Sequence, residues 1–181
     1  MKPLLLALAL GSPWAQAQIG SAPCPGLPPA RLAQVQLTVI TPQRALELDA
    51  VALAQLPATT LVQQQSVAAA GAASGAALQR REWQLSGVLA RDVLLAAGFG
   101  EPGDRAARNA WVEALASDGY RALFSWGELF NSPAGDQVLV IRAQDGRTLD
   151  SAAGPLALRS LGDLRPGPRH VRQLCALIVR G

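Results

Sequence analysis

The stretch WVEALASDGYRALFSWGELFNSPAGDQVLVIRAQDGRT, residues Trp111 to Thr148, decides the fold. Trp111 to Ala116 reads as an apolar strand. Asp118-Gly119 stands between two apolar runs and marks a hairpin turn, and a second short strand starts at Tyr120. Ser125 and Glu128 have the spacing of a capping box, which predicts one short helix ending near Asn131-Ser132-Pro133. Val138 to Arg142 is a further buried strand, and Asp145-Gly146 a second two-residue turn. Strand, turn, strand, short helix and strand in so few residues is the grammar of a β-rich domain with helices as connectors.

Working outward, the same grammar continues. Gln18 to Ala30 holds Pro23, Pro25, Pro28 and Pro29 and reads as an extended lead-in, taken as residues 18–33. Gln34 to Val39 alternates polar and apolar residues, the period of a half-buried strand. A short strand is expected at Ala45 to Leu48. Asp49 then caps a two-turn helix carrying Val51, Leu53 and Leu56 and stopped by Pro57. Thr59 to Gln64 and Arg80 to Leu85 read as strands around a small, Gly-rich loop at Val67 to Ala77. Val88 to Ala97 predicts a helix with Leu89, Val93, Leu94 and Ala97 on one face, stopped by Gly98. Glu101 to Asn109 is a polar connection. Gly154-Pro155 opens another strand, Pro166-Gly167 turns, and Val171 to Val179 is the last strand. No βαβ unit of about 30 residues is present, which argues against a doubly wound nucleotide fold. The expected class is α+β, a mixed β-sheet domain with short helices spanning 34–181.

Composition narrows the function. The chain has 181 residues and a formal net charge of +3. Lys2 is its one lysine, and the arginines are spread without a dense run or interleaved aromatics, so no nucleic-acid surface is expected. Lys2, the apolar run Leu4 to Leu10 and Ala15-Gln16-Ala17 have the order of a cleaved signal peptide over residues 1–17. That run is far below the roughly 20 residues needed to span a bilayer. The protein is therefore expected to be exported, periplasmic or secreted, without a transmembrane anchor. Of the two cysteines, Cys24 and Cys175, an oxidising compartment favours a disulfide that would tie the lead-in to the last strand. The alternative is a buried free Cys175 with Cys24 exposed.

The order of pieces carries a resemblance. Trp83, then Ser86-Gly87-Val88-Leu89-Ala90-Arg91-Asp92-Val93-Leu94 and Ala97-Gly98 are followed by Ala116-Ser117-Asp118-Gly119-Tyr120, Asp136 with Leu139, and Asp145-Gly146 with Leu149. Gly154-Pro155-Leu156 and the closing Val171-Arg172 complete the series. It resembles the molybdopterin-binding domain of the sulfite oxidase family, over roughly Gln34 to Arg180. The resemblance implies a mixed domain holding a pterin dithiolene whose molybdenum is also bound by one cysteine thiolate. That cysteine belongs in the segment Thr60 to Ser66, where this chain has none; glutamine offers no soft, deprotonated sulfur. Ala157 stands where an arginine often follows the Gly-Pro step, and Arg172-Gln173 replaces a closing basic-tryptophan pair. The pterin contacts of a longer N-terminal region have no counterpart. Enzymes carrying this cofactor typically leave the cytoplasm folded behind a twin-arginine leader, and the stretch before Ala17 contains no arginine.

Candidate chemistry is sparse. His170 has no neighbouring triad context, and one histidine with two remote cysteines makes no zinc site. Asp118 and Glu128 fall on turn and cap positions. Arg169, Arg172 and Arg165, with His170, form a possible cofactor- or anion-binding corner, since the guanidinium fork suits oxyanions; the plainer reading is a solvated face. Trp126 and Tyr120 are candidates for a cleft wall. The sequence thus leads to an exported domain of this fold without molybdenum, binding an unknown small ligand or protein partner, with no cofactor expected. The alternative is a molybdopterin-dependent oxidoreductase with atypical metal ligation. A structural subunit of a larger exported complex is the third class.

Overall fold

In the computed structural model, which describes residues 24–31, 34–68, 78–101, 103–164 and 167–181, the alternation at Gln34 to Val39 becomes β1 (Leu37–Ile40). Leu37 and Val39 point into the core. β2 (Ala45–Leu48) follows, then α1 (Ala50–Gln55), opened by the Asp49 carboxylate accepting from the Ala52 N–H at 2.8 Å. This helix is shorter than expected and buries Leu53 alone; Val51 faces solvent. β3 (Ala58–Ala68) and β4 (Leu78–Leu89) form a long hairpin. Val67 and Ala68 of the expected loop belong to β3, and the rest of it, with the expected leader, lies outside the described residues.

α2 (Ala90–Ala96) begins two residues later than its apolar spacing suggested. Val88 and Leu89 are claimed by β4, where they pair with the chain at Val140 and Leu139. Gly98, at φ +73°, ends the helix as expected. The polar connection holds a 3-10 turn at Ala106–Asn109. β5 (Trp111–Ala116) and β6 (Arg121–Ser125) then form the first central hairpin, with Asp118 accepting from the Tyr120 N–H. α3 (Trp126–Phe130) carries the full capping box between Ser125 and Glu128. After a 3-10 turn at Pro133–Gln137, β7 (Val138–Gln144) and β8 (Arg147–Thr148) flank Asp145 and Gly146, both at positive φ, as a two-residue turn of the primed type requires.

The chain closes with β9 (Ala157–Ser160), β10 (His170–Val171) and β11 (Leu174–Arg180). The expected single last strand is therefore two. Gln173 adopts a left-handed φ of +46° and the chain changes sheets there. The break falls at Arg172-Gln173, between Val171 and the apolar run that starts at Leu174.

Two sheets result. One has the order β2-β1-β11-β5-β6, with β1 parallel to β11 and its other pairs antiparallel; the other runs β10-β9-β7-β4-β3, with β8 on β7. Their facing sides enclose the main core, from Leu37 and Val39 through Val112, Phe124, Val140 and Leu158 to Leu177, capped by Val93 and Leu94 of α2 and Leu129 of α3. The far side of the first sheet is covered by the lead-in: Cys24 and Leu27 pack on Leu115, Ala176 and Ile178. The Cys24–Cys175 disulfide, with 5.6 Å between the Cα atoms, fastens it there.

The far side of the second sheet has its own cover. Leu89 is level with Leu139 and Arg159, whereas Trp83, six positions earlier on β4, is level with Gln63. Six residues of strand span about 20 Å. Nevertheless Gln63 touches Arg159, and Leu61 and Trp83 pack on the cluster of Leu85, Leu139, Ile141 and Ala157. The outer half of the β3–β4 hairpin thus curls back over the sheet and closes a small second core.

Candidate functional site: a half-buried guanidinium

Arg159 sits on β9 directly opposite His170 on β10, both on the face covered by the curled hairpin. Its Nη1 donates to the amide oxygen of Gln63, and its Nη2 lies 2.9 Å from His170 Nε2 and 3.3 Å from Nδ1. A guanidinium only donates, so the nearer ring nitrogen, Nε2, accepts and Nδ1 carries the proton of the neutral ring. Arg159 Nε is buried and has no acceptor among the described residues.

The electrostatics are one-sided. None of the ion pairs among the described residues includes Arg159 or Arg172. Burial, and then the charge of Arg172, push the Arg159 guanidinium down from its ordinary pKa. Burial, then Arg159, then Arg172 push His170 down to about 4, so the ring is neutral near pH 7. The half-buried Arg159 and the neutral His170 are in contact, and the exposed Arg172 adds a second positive charge close enough to act on both. Among the described residues no carboxylate pairs with either arginine. Desolvating a charge is costly unless it is paired, and an anion has the charge and the acceptors that Arg159 lacks among the described residues.

The three residues singled out from the sequence therefore separate. His170 and Arg172 belong to this cluster. Arg169 turns away: its Nε and Nη2 hold both oxygens of Asp163, its Nη1 reaches Glu128, and its guanidinium carbon stands 5.1 Å over the Phe124 ring. Its hydrogen bond lowers the Asp163 carboxyl against burial, with help from Ser160. Burial would raise Glu128, but the Ser125 N–H and Arg169 outweigh it and hold it low. Arg169 thus ties the cap of α3 to the β9–β10 connection. Arg165 lies outside the described residues. Tyr120 donates to the Pro168 carbonyl at 2.7 Å, while Trp126 stacks on Phe130 and its buried Nε1–H has no acceptor among the described residues. Among the described residues the two share no partner.

Arg159 and its contact with Gln63 were not anticipated. The signal was present: an arginine inside Leu156-Ala157-Leu158-Arg159-Ser160, on the same strand face as Ala157, is an expensive residue in an apolar strand. Its partner, on a hairpin 96 residues away in sequence, is set by the curl of that hairpin.

The residues present do not fit the thiolate-held metal that the resemblance implies. Both cysteines of the chain are joined to one another on the opposite sheet. Gln63, in the segment where the thiolate is expected, offers a neutral amide oxygen already bound to Arg159. Among the described residues no three His, Cys, Asp or Glu side chains stand together.

No family model and no curated relative matches the sequence. Among solved structures, the chain is similar to the sulfane dehydrogenase SoxCD from Paracoccus pantotrophus, with a TM-score of 0.59 and 19% identity. The likeness covers 80% of this chain and 38% of that one, so the chain spans well under half of its neighbour's length. At this identity a shared fold is what the likeness shows, a distant relationship to the molybdopterin-type fold that the sequence resembles.

Proposed function

We propose that the chain is an exported ligand-binding module on a sulfite-oxidase-like fold, which takes a small oxyanion at Arg159, His170 and Arg172 and works without molybdenum. One observation carries this reading: the half-buried Arg159 guanidinium has no carboxylate partner among the described residues and its buried Nε–H has no acceptor there. An oxyanion offers several acceptors to such a fork, and charge-assisted hydrogen bonds of this kind are about twice as strong as neutral ones. The neutral His170 adds a donor without competing for the anion. Export rests on the leader-like residues 1–17 and agrees with the disulfide. No helix among the described residues is long and apolar enough to cross a membrane.

The test is a sulfate titration of protein purified from the periplasm of an expression host, with molybdenum measured on the same sample. Saturable sulfate binding that Arg159→Gln weakens at least tenfold, in protein with substoichiometric molybdenum, is the expected result. Stoichiometric molybdenum would overturn the metal-free reading. It would support the second one, a molybdopterin-dependent oxidoreductase with atypical ligation, which the fold likeness favours.

A further inference from the structure

A second basic residue is set apart by the backbone itself. Along the β4–β7 ladder Ser86 pairs with Ala143 and Gly87 with Ile141, so Arg142 is an extra residue on β7 with no cross-strand partner. Such a bulge turns the side chain of the extra residue away from the regular alternation. Gly87 is what allows the strands to close at this point. A Cβ there would lie 1.9 Å from the Val140 carbonyl oxygen, so the bulge and the glycine belong together.

Arg142 lines a cavity of about 440 Å³ between the base of the β3–β4 hairpin, the β7–β8 turn and the chain around Pro155. It is half-buried and has no hydrogen-bond, ion-pair or ring partner among the described residues. The carboxylates of Asp145 and Asp150 form no ion pair with it among the described residues. Through Oδ1, Asp145 accepts from the Gln84 N–H, and Asp150 from the N–H groups of Ala152 and Ala153. Across the cavity the hydroxyls of Thr60 and Ser86 are 3.0 Å apart. A hydroxyl pair bonded to itself leaves one O–H free to donate. Leu149, Leu156 and Pro155 supply an apolar wall. The volume is that of a small-molecule site, and mostly apolar lining with a few convergent polar groups is how such sites are built.

We propose that this cavity is a binding site for a small organic carboxylate, held by Arg142 with a Thr60 or Ser86 hydroxyl while its apolar body lies on Leu149 and Leu156. The site is separate from the Arg159 cluster. Arg142 presents donors alone and the Thr60–Ser86 pair adds one free O–H, so a carboxylate, which only accepts and carries one negative charge, matches them, and the wall beside them rewards a hydrocarbon substituent that an inorganic oxyanion lacks.

The test is a titration of the full chain with benzoate, followed by amide NMR shifts, with benzamide as the neutral isostere. Saturable benzoate shifts at Thr60, Ser86 and Ala143 are expected, with binding at least tenfold weaker for benzamide. Arg142→Gln should weaken benzoate binding at least tenfold, and Arg142→Lys should restore part of it. Arg159→Gln should leave it unchanged, so failure of the oxyanion reading and failure of this one are told apart. No saturable shift, equal binding of benzamide, undiminished binding in Arg142→Gln, or shifts confined to His170 and Val171 would each overturn the proposal.

Discussion

His170 is the residue whose chemistry the fold alters most. Its pKa falls from 6.5 to about 4 because burial and two arginines disfavour the imidazolium. The unfolded chain therefore takes up this proton first as the pH drops. The stability that His170 contributes is complete above about pH 6.5 and is lost between 6.5 and 4. With allowance for solvent screening of a half-exposed ring, the loss is about 1–2 kcal/mol. Urea denaturation from pH 7 to 5 should show it, and His170→Gln should flatten that part of the profile. The low carboxyls of Asp163 and Glu128 act further down, where unfolded carboxylates begin to protonate, so the two effects separate along the pH axis. Arg169 makes the opposite case, a charge fully answered by Asp163 and Glu128. Arg169→Ala should cost about 2 kcal/mol in denaturation midpoint analysis and leave sulfate and benzoate binding intact. The sequence placed Arg169, His170 and Arg172 in one turn region but could not tell them apart. Which way each side chain faces depends on Asp163 and Glu128 on one side and Arg159 on the other.

Among the elements, α3 and the β3–β4 hairpin mark the two extremes of legibility. The capping box of α3 is local, four residues satisfying one another's backbone groups, and its spacing was enough to find it. Ser125→Ala should cost about 1 kcal/mol of stability in thermal or urea unfolding. The hairpin also read as two strands, yet its curl left no local signature. That curl depends on Gly87 fitting against Val140 and on the apolar patch of Leu139, Ile141 and Ala157 waiting to be covered. Gly87→Ala forces a methyl group into a backbone carbonyl and should cost about 3 kcal/mol, the upper end of overpacking effects. It should also abolish benzoate binding by distorting the bulge at Arg142. The start of α2 and the split between β10 and β11 depart from the sequence expectation for a related reason. The apolar run through Val88 and Leu89 keeps its hydrophobicity where strand gives way to helix, and at Arg172-Gln173 the chain passes from one sheet to the other, so in both places the hydrogen-bond partners decide.

At the scale of the molecule, the Cys24–Cys175 bond joins residues 151 positions apart and holds the lead-in on the outer face of the first sheet. The loop-entropy account gives a ceiling of about 5 kcal/mol for a closure of this length. Intact mass without reductant should be about 2 Da below the reduced value, the two thiol hydrogens lost on bond formation. Reduction should lower the unfolding midpoint and expose Leu115 and Ile178 to an apolar dye.

Sequence alone determined the features written in neighbouring residues: the period-2 strands, the two Asp-Gly turns, the cap of α3, and the absence of any cysteine where a metal thiolate is expected. These rest on interactions reaching a few positions along the chain, and they were enough to indicate a fold class. The tertiary structure decided what lies across the sheets. It brought Gln63 to Arg159, left that guanidinium without a counter-ion among the described residues, turned Arg142 into a cavity through a one-residue bulge, and set the Arg169 charge aside for the architecture. Charge compensation depends on which groups meet in space, and long-range strand pairing and the curl of one hairpin govern that meeting.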